Sequence, residues 1–306
     1  MDALVPILTA TLIAGTPLVF AALGELVTEK SGVLNLGVEG MMLIGAVTGF
    51  VTALSTGSVW LGMAVAALCG ALSSVPFAFL VLTLRANQVA SGLALAILGT
   101  GVSAFIGKPY VGMALVKTET SFAHFARQVP LIGDFLAALH PLVYLSWIIF
   151  AATGWFLYRT RSGLILRAIG ESPSSARANG YNVVGVRYLA TIYGGALAGI
   201  GGGFLTIVYT SLWIEGVTAG RGWIALALVV FATWRPGRVL LGAYLFGGVT
   251  TAQLFGQGAG IPIPPELMSA LPYLATIVVL VIISRNPTLI RLNAPASLGQ
   301  TYHGET

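Results

Sequence analysis

The stretch RTRSGLILRAIGESPSSARANGYNVVGVR, residues 159–187, is a long polar segment inside an otherwise apolar chain. Five of the fifteen lysine and arginine residues fall in it, together with a single acid, Glu171. In a membrane protein such an excess of positive charge marks the cytoplasmic side. This segment therefore orients the helices on either side of it.

The middle of this segment has the pattern of a short surface helix. Ser172 suits the N-cap, Pro173 the first turn, and Asn179 with Gly180 a left-handed stop. The residues between them are mostly small: Ser174, Ser175, Ala176 and Ala178. Small side chains let a partner approach the backbone closely, and Arg177 remains for charged contacts. We interpret residues 172–180 as a docking element.

The composition is that of an integral membrane protein. Of 306 residues, 57% are hydrophobic and 8% charged, against roughly 25% charged in a soluble domain. The net charge of +5 does not indicate nucleic-acid binding, because ten of the fifteen cations lie in segments assigned to the cytoplasmic face. One cysteine, Cys69, excludes an intrachain disulfide.

Apolar runs predict an all-α polytopic fold of about 8–10 transmembrane helices, since a span needs about 17–25 residues. The runs cover residues 4–23, 36–54, 60–82, 89–106, 142–158, 189–209, 239–255 and 271–284. A ninth run, 224–234, is too short to span and should be half of a broken helix. Gly195, Gly199 and Gly203 recur at four-residue spacing, which predicts close packing between helices.

Alternation along the chain assigns a side to most remaining cations. Those placed inside with residues 159–187 are Arg85, Arg235, Arg238, Arg285 and Arg291. Those placed outside are Lys108, Lys117, Arg127 and Arg221. The first two segments are left unoriented. Residues 108–141 are the longest external loop, a candidate surface for an external partner, and the polar tail 292–306 is expected to be frayed.

Two glycine-rich polar segments interrupt the apolar pattern, GELVTEKSGVLNLGVEG at 24–40 and EGVTAGRGW at 215–223. Broken helices at membrane depth free backbone groups to line a polar cavity. Interruptions in both halves of a chain are typical of an inverted repeat with a pathway between its halves. The repeat is inferred here from layout, because the halves hardly match in residue identity.

For several polar side chains near these breaks, the sequence allows two roles. Asn35 and Glu39 either line the pathway or its gate, or lie solvated at the membrane edge. Asn87 and Gln88, at the head of the fourth run, either cap a helix or face the pathway, and capping is favoured. For two further sets a structural role is favoured: Glu25 and Glu29 with Lys30 as a charge cluster at a helix end, and Glu215 with Arg221 as an external ion pair.

Enzyme signatures are not evident. GVSAFIGKP at 101–109 has the wrong spacing for a phosphate loop and carries Pro109 where Ser or Thr should bind magnesium. His124, His140 and His303 lack metal-site spacing. Acids that could form a proton relay are scarce. We expect no catalytic or metal site, and an energy source outside this chain.

Three stretches resemble the permease subunits of bacterial ATP-binding-cassette importers, the branched-chain amino acid, ribose and nucleoside permease family. GELVTEKSGVLNLGVEGMMLIG at 24–45 looks like the signature of the nucleoside and simple-sugar branch. Residues 163–186 look like the loop that couples to the ATPase, and GRGWIALALVVFATWRPGRVLLG at 220–242 resembles the matching late segment. With the spacing between them they cover most of the chain.

The resemblance implies a pore-forming permease of the inner membrane, with residues 1–306 as one transmembrane domain and 159–187 as its coupling loop. Implied partners are a second permease, identical or homologous, cytoplasmic ATPase subunits that bind ATP and magnesium, and an external binding protein; no cofactor is expected in this chain. The implied substrate is a nucleoside, with a simple sugar of the pentose type as the alternative. Apart from the resemblance, a self-sufficient secondary carrier is the less favoured function.

The resemblance also assigns roles to individual residues. Those expected to contact the ATPase are Glu171, Ser172, Pro173, Ser175, Ala176, Arg177, Ala178 and Gly180. Those expected along the substrate pathway are Asn35, Glu39, Asn87 and Trp223, whose ring could stack on a base.

Overall fold

The computed structural model describes residues 4–116, 127, 133–258, 264–284 and 293–302, and across these ranges it contains helices and no named strands. The helices are α1 (Leu4–Lys30), α2 (Val38–Thr56), α3 (Val59–Ala78), α4 (Gln88–Gly107), α5 (Gly133–Ala138), α6 (Pro141–Arg159), α7 (Arg161–Glu171), α8 (Pro173–Ala178), α9 (Val183–Phe204), α10 (Arg221–Phe231), α11 (Pro236–Gly258) and α12 (Pro265–Ser284). Short π-helical turns, Phe79–Thr83 and Leu205–Tyr209, extend α3 and α9, and the 3₁₀ turn Lys108–Tyr110 extends α4. The prediction of an all-α polytopic protein is confirmed, whereas the inverted repeat stays a prediction.

Seven helices of the described residues are long and apolar enough to cross a membrane: α1, α2, α3, α4, α6, α9 and α11. Helix α10 has eleven residues, which at 1.5 Å per residue reach about half-way through the hydrocarbon layer. The short apolar run is therefore a half-helix, as its length predicted.

Helix α9 is the centre of the bundle because its glycines admit neighbours on several sides. A Cβ on Gly195 would lie 2.6 Å from the carbonyl oxygen of Gly70 in α3, and one on Gly201 would lie 2.7 Å from that of Pro17 in α1. A Cβ on Gly202 would clash with the carbonyl oxygen of Met42 in α2. The predicted backbone-to-backbone packing is confirmed, and it extends beyond the face that the four-residue spacing marked.

The orientation of α1 follows from its last residue. The Lys30 Nζ donates to the carbonyl oxygen of Asn293 at 2.7 Å, and the Lys30 backbone lies against Gly170 at the end of α7. With α7 on the cytoplasmic side, α1 begins outside and ends inside. Lys117, Glu119, His124, Arg285, Arg291 and His303 lie outside the described residues.

The predicted segments 24–40 and 215–223 each overlap a non-helical break, at residues 31–37 and 210–220, while residues 24–30, 38–40 and 221–223 are helical. The first turns of α2 and α10 meet there, with Gly222 against Glu39. The next residue, Gly40, packs on Leu95 and Gly99 near the middle of α4. Helices α2 and α10 therefore begin deep in the membrane-spanning layer rather than at its edge.

The polar tail is partly ordered against the bundle, which corrects the expectation of a frayed end. Residues 293–302 pack on the ends of α1 and α7, where Ser297 is 6% exposed. The Ser297 N–H donates to the Gly170 carbonyl oxygen at 3.0 Å. No periodic pattern in the sequence indicated this, because the contacts join residues more than a hundred positions apart.

Candidate functional site

The cytoplasmic helix α8 forms as its sequence predicts. The Ser172 Oγ accepts a hydrogen bond from the Ser175 backbone N–H at 3.3 Å, and Pro173 occupies the first turn. Gly180 follows with a φ of +84°, which a residue with a Cβ adopts only with strain. Its N–H donates to the Arg177 carbonyl oxygen at 2.8 Å and closes the helix.

Most of the proposed coupling residues lie on the solvent side of this helix. Those exposed are Glu171, Ser175, Arg177, Ala178 and Gly180, and those half-buried are Ser172 and Pro173. Ala176 differs, because it is buried in a small apolar cluster with Ile169 and Val183. It anchors α8 to the protein and is not part of the exposed surface.

The first break is held by a carboxylate of the helix that precedes it. Oε1 of Glu25, one turn before the end of α1, accepts a hydrogen bond from the Asn35 backbone N–H at 3.2 Å. The Asn35 Oδ1 accepts in turn from the Gly37 N–H at 3.0 Å, which satisfies a free donor at the start of α2. Asn35 is fully buried, so the membrane-edge interpretation is wrong for this residue.

Glu39 joins the two breaks. Its Oε1 accepts hydrogen bonds from the Thr218 hydroxyl at 2.6 Å and the Gly220 N–H at 2.9 Å, and its Oε2 accepts from the Gly222 N–H at 2.7 Å. The carboxylate thus stands at the N-termini of both α2 and α10, where the helix dipoles favour a negative charge. At 6% exposure it is a structural lock and not a solvated edge residue.

Glu25 and Glu29 are not a charge cluster at a solvated helix end, which corrects the sequence interpretation. Both are at most 1% exposed, because the first break folds back over the last turns of α1. The Trp234 indole Nε1 donates to Glu29 Oε2, and this contact ties the end of α10 to α1. Lys30 directs its ammonium group to Asn293.

Arg221 forms contacts within the second break in place of the expected ion pair with Glu215. Its guanidinium lies 5.6 Å from the centroid of the Tyr209 ring and donates to the Val217 carbonyl oxygen at 3.3 Å. Glu215 is exposed. The arginine therefore stiffens the turn that leads into α10.

The four proposed pathway residues lie at three places in the fold. Asn35 and Glu39 belong to the first break, whereas Asn87 is the N-cap of α4, where its Oδ1 accepts from the Ala90 N–H at 3.0 Å. Trp223 follows Gly222 in the half-helix and is 51% exposed. A Cβ on Gly220, whose N–H donates to Glu39, would lie 4.0 Å from the Trp223 Cε3.

Three residues of this region were missed by sequence reasoning, Arg187, Trp234 and Ser297, and for Gln88 the contact it makes was missed. Gln88 accepts from the Leu34 N–H at 2.8 Å and so supports the first break. Arg187 was counted as a topological charge, yet it is 1% exposed and donates hydrogen bonds to Ser31 and Ser297 inside the protein. The sequence did carry one signal for Arg187. This residue stands at the apolar start of α9, and a guanidinium buried there needs hydrogen-bond partners close by.

The external face carries a cavity of about 760 Å³ between α1, α2, α3 and the outer loops. Its lining includes Leu54, Trp60, Leu115, His140 and Ser211. The Nδ1 of His140 accepts from the Leu142 N–H at 3.2 Å and caps α6. Burial lowers the pKa of His140 to about 4, so this side chain is neutral at physiological pH.

Comparison with known proteins identifies the family. Residues 7–280 match the family described as branched-chain amino acid transport system / permease component. The chain is 42% identical to TsgC13 of Haloferax volcanii, an ABC transporter permease protein whose name assigns it provisionally to glucose, over 98% of both chains. No solved structure matches the chain.

Two further relatives are named for nucleosides. The guanosine ABC transporter permease protein NupQ of Bacillus subtilis is 33% identical over 97% of this chain and 96% of its own. The nucleoside ABC transporter permease protein NupC of Lactococcus lactis is 32% identical over 88% and 89%. With seven apolar helices among its described residues, the chain is a multi-pass plasma-membrane protein and a transport subunit rather than an enzyme. It belongs to the family of permease components of ATP-binding-cassette importers.

Proposed function

We propose that the chain forms the membrane pathway of an ATP-binding-cassette importer for nucleosides. The observation that carries this proposal is the pair of relatives named for nucleosides, NupQ and NupC, at 33% and 32% identity over most of the chain. The stretch at residues 24–45, which resembles the signature of the nucleoside and simple-sugar branch, agrees with it.

A simple sugar is the second candidate, and TsgC13 favours it with its higher identity of 42%. The two candidates share a chemistry, since a nucleoside also presents the hydroxyl groups of a sugar ring. A base adds an aromatic face that a sugar lacks. Aromatic side chains along the pathway are therefore the feature on which the candidates differ.

The exposed side of α10 is the part of the chain that best fits a pathway wall. Trp223 is half exposed at membrane depth, and Leu226, Ala227 and Val230, which follow at helical spacing, are partly exposed. A second permease subunit opposite this face would enclose a channel between the two. The face offers few polar groups, which suits a pathway that leaves selection to an external binding protein.

Cytoplasmic ATPase subunits would dock on the exposed residues of α8, and they would hold the ATP and magnesium. Arg177 supplies a charge there, and Ser175 and Ala178 leave the backbone accessible. The buried Ala176 would transmit a push on α8 to Ile169 in α7.

Inside the bundle, the Glu39 lock would keep α2 and α10 together while the remaining helices change position. Access to the substrate would switch because each bound state of the ATPase favours one arrangement of the bundle. Asn35 and Glu39 would act as gate structure in this scheme, and Asn87 would fix the start of α4.

Uptake in a strain that lacks this chain tests the proposal. Labelled guanosine, ribose and glucose would each be supplied with and without the restored chain, and with the partner ATPase inactivated in parallel. Guanosine uptake that needs both proteins supports the nucleoside proposal. Uptake of ribose or glucose alone would replace it with the sugar candidate, and uptake that survives loss of the ATPase would contradict the import mechanism.

A matched pair of variants tests the pathway face. Trp223→Ala should slow guanosine uptake more than sugar uptake, because it removes a stacking surface worth about 1–3 kcal/mol to a base. Leu189→Ala, at an exposed apolar position on α9, is the control. Equal effects of both variants on both substrates would remove Trp223 from the pathway.

A further inference from the structure

Ser297 forms hydrogen bonds with Gly170 and Arg187 on the cytoplasmic side, and we call these three residues the polar joint. Its N–H and its hydroxyl both donate to the Gly170 carbonyl oxygen, at 3.0 and 2.7 Å. Its Oγ also accepts from the Arg187 Nη2 at 2.9 Å. One serine thus connects the last turn of α7 to the first turns of α9.

Arg187 connects the polar joint to the first break. Its Nε donates to the Ser31 carbonyl oxygen at 2.9 Å, and its guanidinium lies 5.7 Å from the centroid of the Tyr302 ring. The residue is 1% exposed. A buried charge of this kind is stable only while its hydrogen-bond partners stay in place, so these groups are bound to move together.

The glycines at the joint show that the contact is closely fitted. Gly32 has a φ of +93°, and a Cβ on it would clash with the Ser297 hydroxyl and lie 2.6 Å from Arg187 Nη2. A Cβ on Gly170 would clash with the Lys30 carbonyl oxygen and approach the Cβ of Pro295 to 3.3 Å. The backbone of residues 30–32 therefore contacts these residues directly, with no side chain in between.

The same C-terminal residues also contact the break further along the chain, at residue 32 directly and at residue 34 through Gln88. The Gly299 N–H donates to the Gly32 carbonyl oxygen at 3.3 Å. The Gln88 Nε2 donates to the Gln300 carbonyl oxygen at 3.3 Å, while the Gln88 Oε1 accepts from the Leu34 N–H at 2.8 Å. Residues 31–34 are thus held from two sides.

We infer that residues 293–302, which we name the C-terminal clasp, couple the ATPase-docking helix to the first helix break. Gly170 lies two residues before Ser172, the cap of α8, and Ser31 begins the break that leads to Glu39. A displacement of α8 moves Gly170, and the hydrogen bonds of Ser297 and Arg187 transmit this movement to Ser31. Ser297 and Arg187 are positioning residues for transport, and the inference rests on the proposed docking of ATPase subunits at α8.

The test is Ser297→Ala, which removes the hydroxyl, adds no bulk and leaves the N–H bond to Gly170 intact. The control is Ala296→Ser, a change at an exposed position one residue away. Uptake of labelled guanosine and glucose, co-purification of the ATPase and ATP hydrolysis by the purified complex are measured together. Ser297→Ala should lower uptake about ten-fold, the effect of leaving a buried charged donor without an acceptor, with co-purification and hydrolysis within about two-fold.

A structural role would give a different pattern, since uptake, co-purification and hydrolysis would then fall together. That pattern, or normal uptake by Ser297→Ala, would overturn the clasp. If Ser297→Ala fails to accumulate, Tyr302→Leu provides the same test, because leucine keeps the apolar contact with Ile169 and Val183 but removes the ring beneath Arg187. It should show the same selective loss of uptake, and normal uptake would again overturn the clasp.

The two proposals fail in distinguishable ways. An unaltered chain that transports without co-purifying an ATPase would overturn the docking proposal and the clasp with it. An unaltered chain that binds its ATPase, beside a Ser297→Ala chain that transports normally, would overturn the clasp alone.

Discussion

The cytoplasmic helix α8 and the Glu39 lock are both polar interruptions of an apolar chain, yet they are polar for opposite reasons. In α8 the side chains of Ser175 and Arg177 face solvent and are available to a partner. In the lock the Glu39 carboxylate is buried and accepts three hydrogen bonds from the second break and the first turn of α10. A polar segment in this protein is therefore either an exposed surface that a partner can bind or a place where a broken helix needs internal hydrogen bonds.

The largest expected effect is at the lock. Glu39→Ala leaves the Thr218 hydroxyl and the N–H groups of Gly220 and Gly222 without acceptors, at about 1–3 kcal/mol for each buried group. The protein should fail to accumulate in the membrane, or should lose most of its thermal stability in detergent. Glu215→Ala, at an exposed acid of the same break, should behave as the unaltered chain. Equal stability of the two variants would show that the lock does not hold the breaks together.

Charge reversal on α8 should give the converse result. Arg177→Glu changes an exposed side chain, so membrane level and thermal stability should be unaltered while uptake falls about ten-fold, equivalent to about 1.4 kcal/mol of lost interaction. Arg161→Glu, an exposed reversal at the start of α7, is the control. Normal uptake by Arg177→Glu would remove the docking surface, and a loss of stability would show that this arginine belongs to the fold.

Much of the fold could be predicted because its signals are local. The length of an apolar run decides whether a helix spans, and Gly195, Gly199 and Gly203 mark one packing face through helical spacing alone. The second break was detectable in the segment 215–223 because the following apolar run is too short to span. In each case the physical cause lies within about twenty residues of the pattern.

The parts that could not be predicted depend on distant contacts. Ala176 lies in a six-residue helix, which is too short for periodicity to show which side faces inward. Glu25 and Glu29 resemble a helix end because Lys30 follows them, and their burial arises from Asn35 and Trp234 folding back from other segments. The order of the C-terminal clasp depends on Arg187 and Gly170, more than a hundred residues earlier.

Two alanines of α8 sharpen the comparison between buried and exposed positions. Ala176→Leu forces bulk between Ile169 and Val183, which should cost about 1–3 kcal/mol in overpacking and lower the melting temperature of the purified protein. Ala178→Leu adds the same bulk at an exposed position, so it should leave that temperature unchanged and reduce uptake by obstructing the ATPase. Identical melting temperatures would show that Ala176 does not anchor α8.

The smallest expected effect is at the cap of α8. Ser172→Ala removes the acceptor for the Ser175 N–H, a loss of about 1 kcal/mol of helix stability. Because Pro173 and the buried Ala176 still hold the helix, uptake should fall by no more than about two-fold. Ser172→Asp, which restores a capping oxygen, should return it to the original rate. A loss as large as that of Arg177→Glu would mean that the serine hydroxyl contacts the ATPase directly, which would extend the docking surface to the N-terminal end of α8.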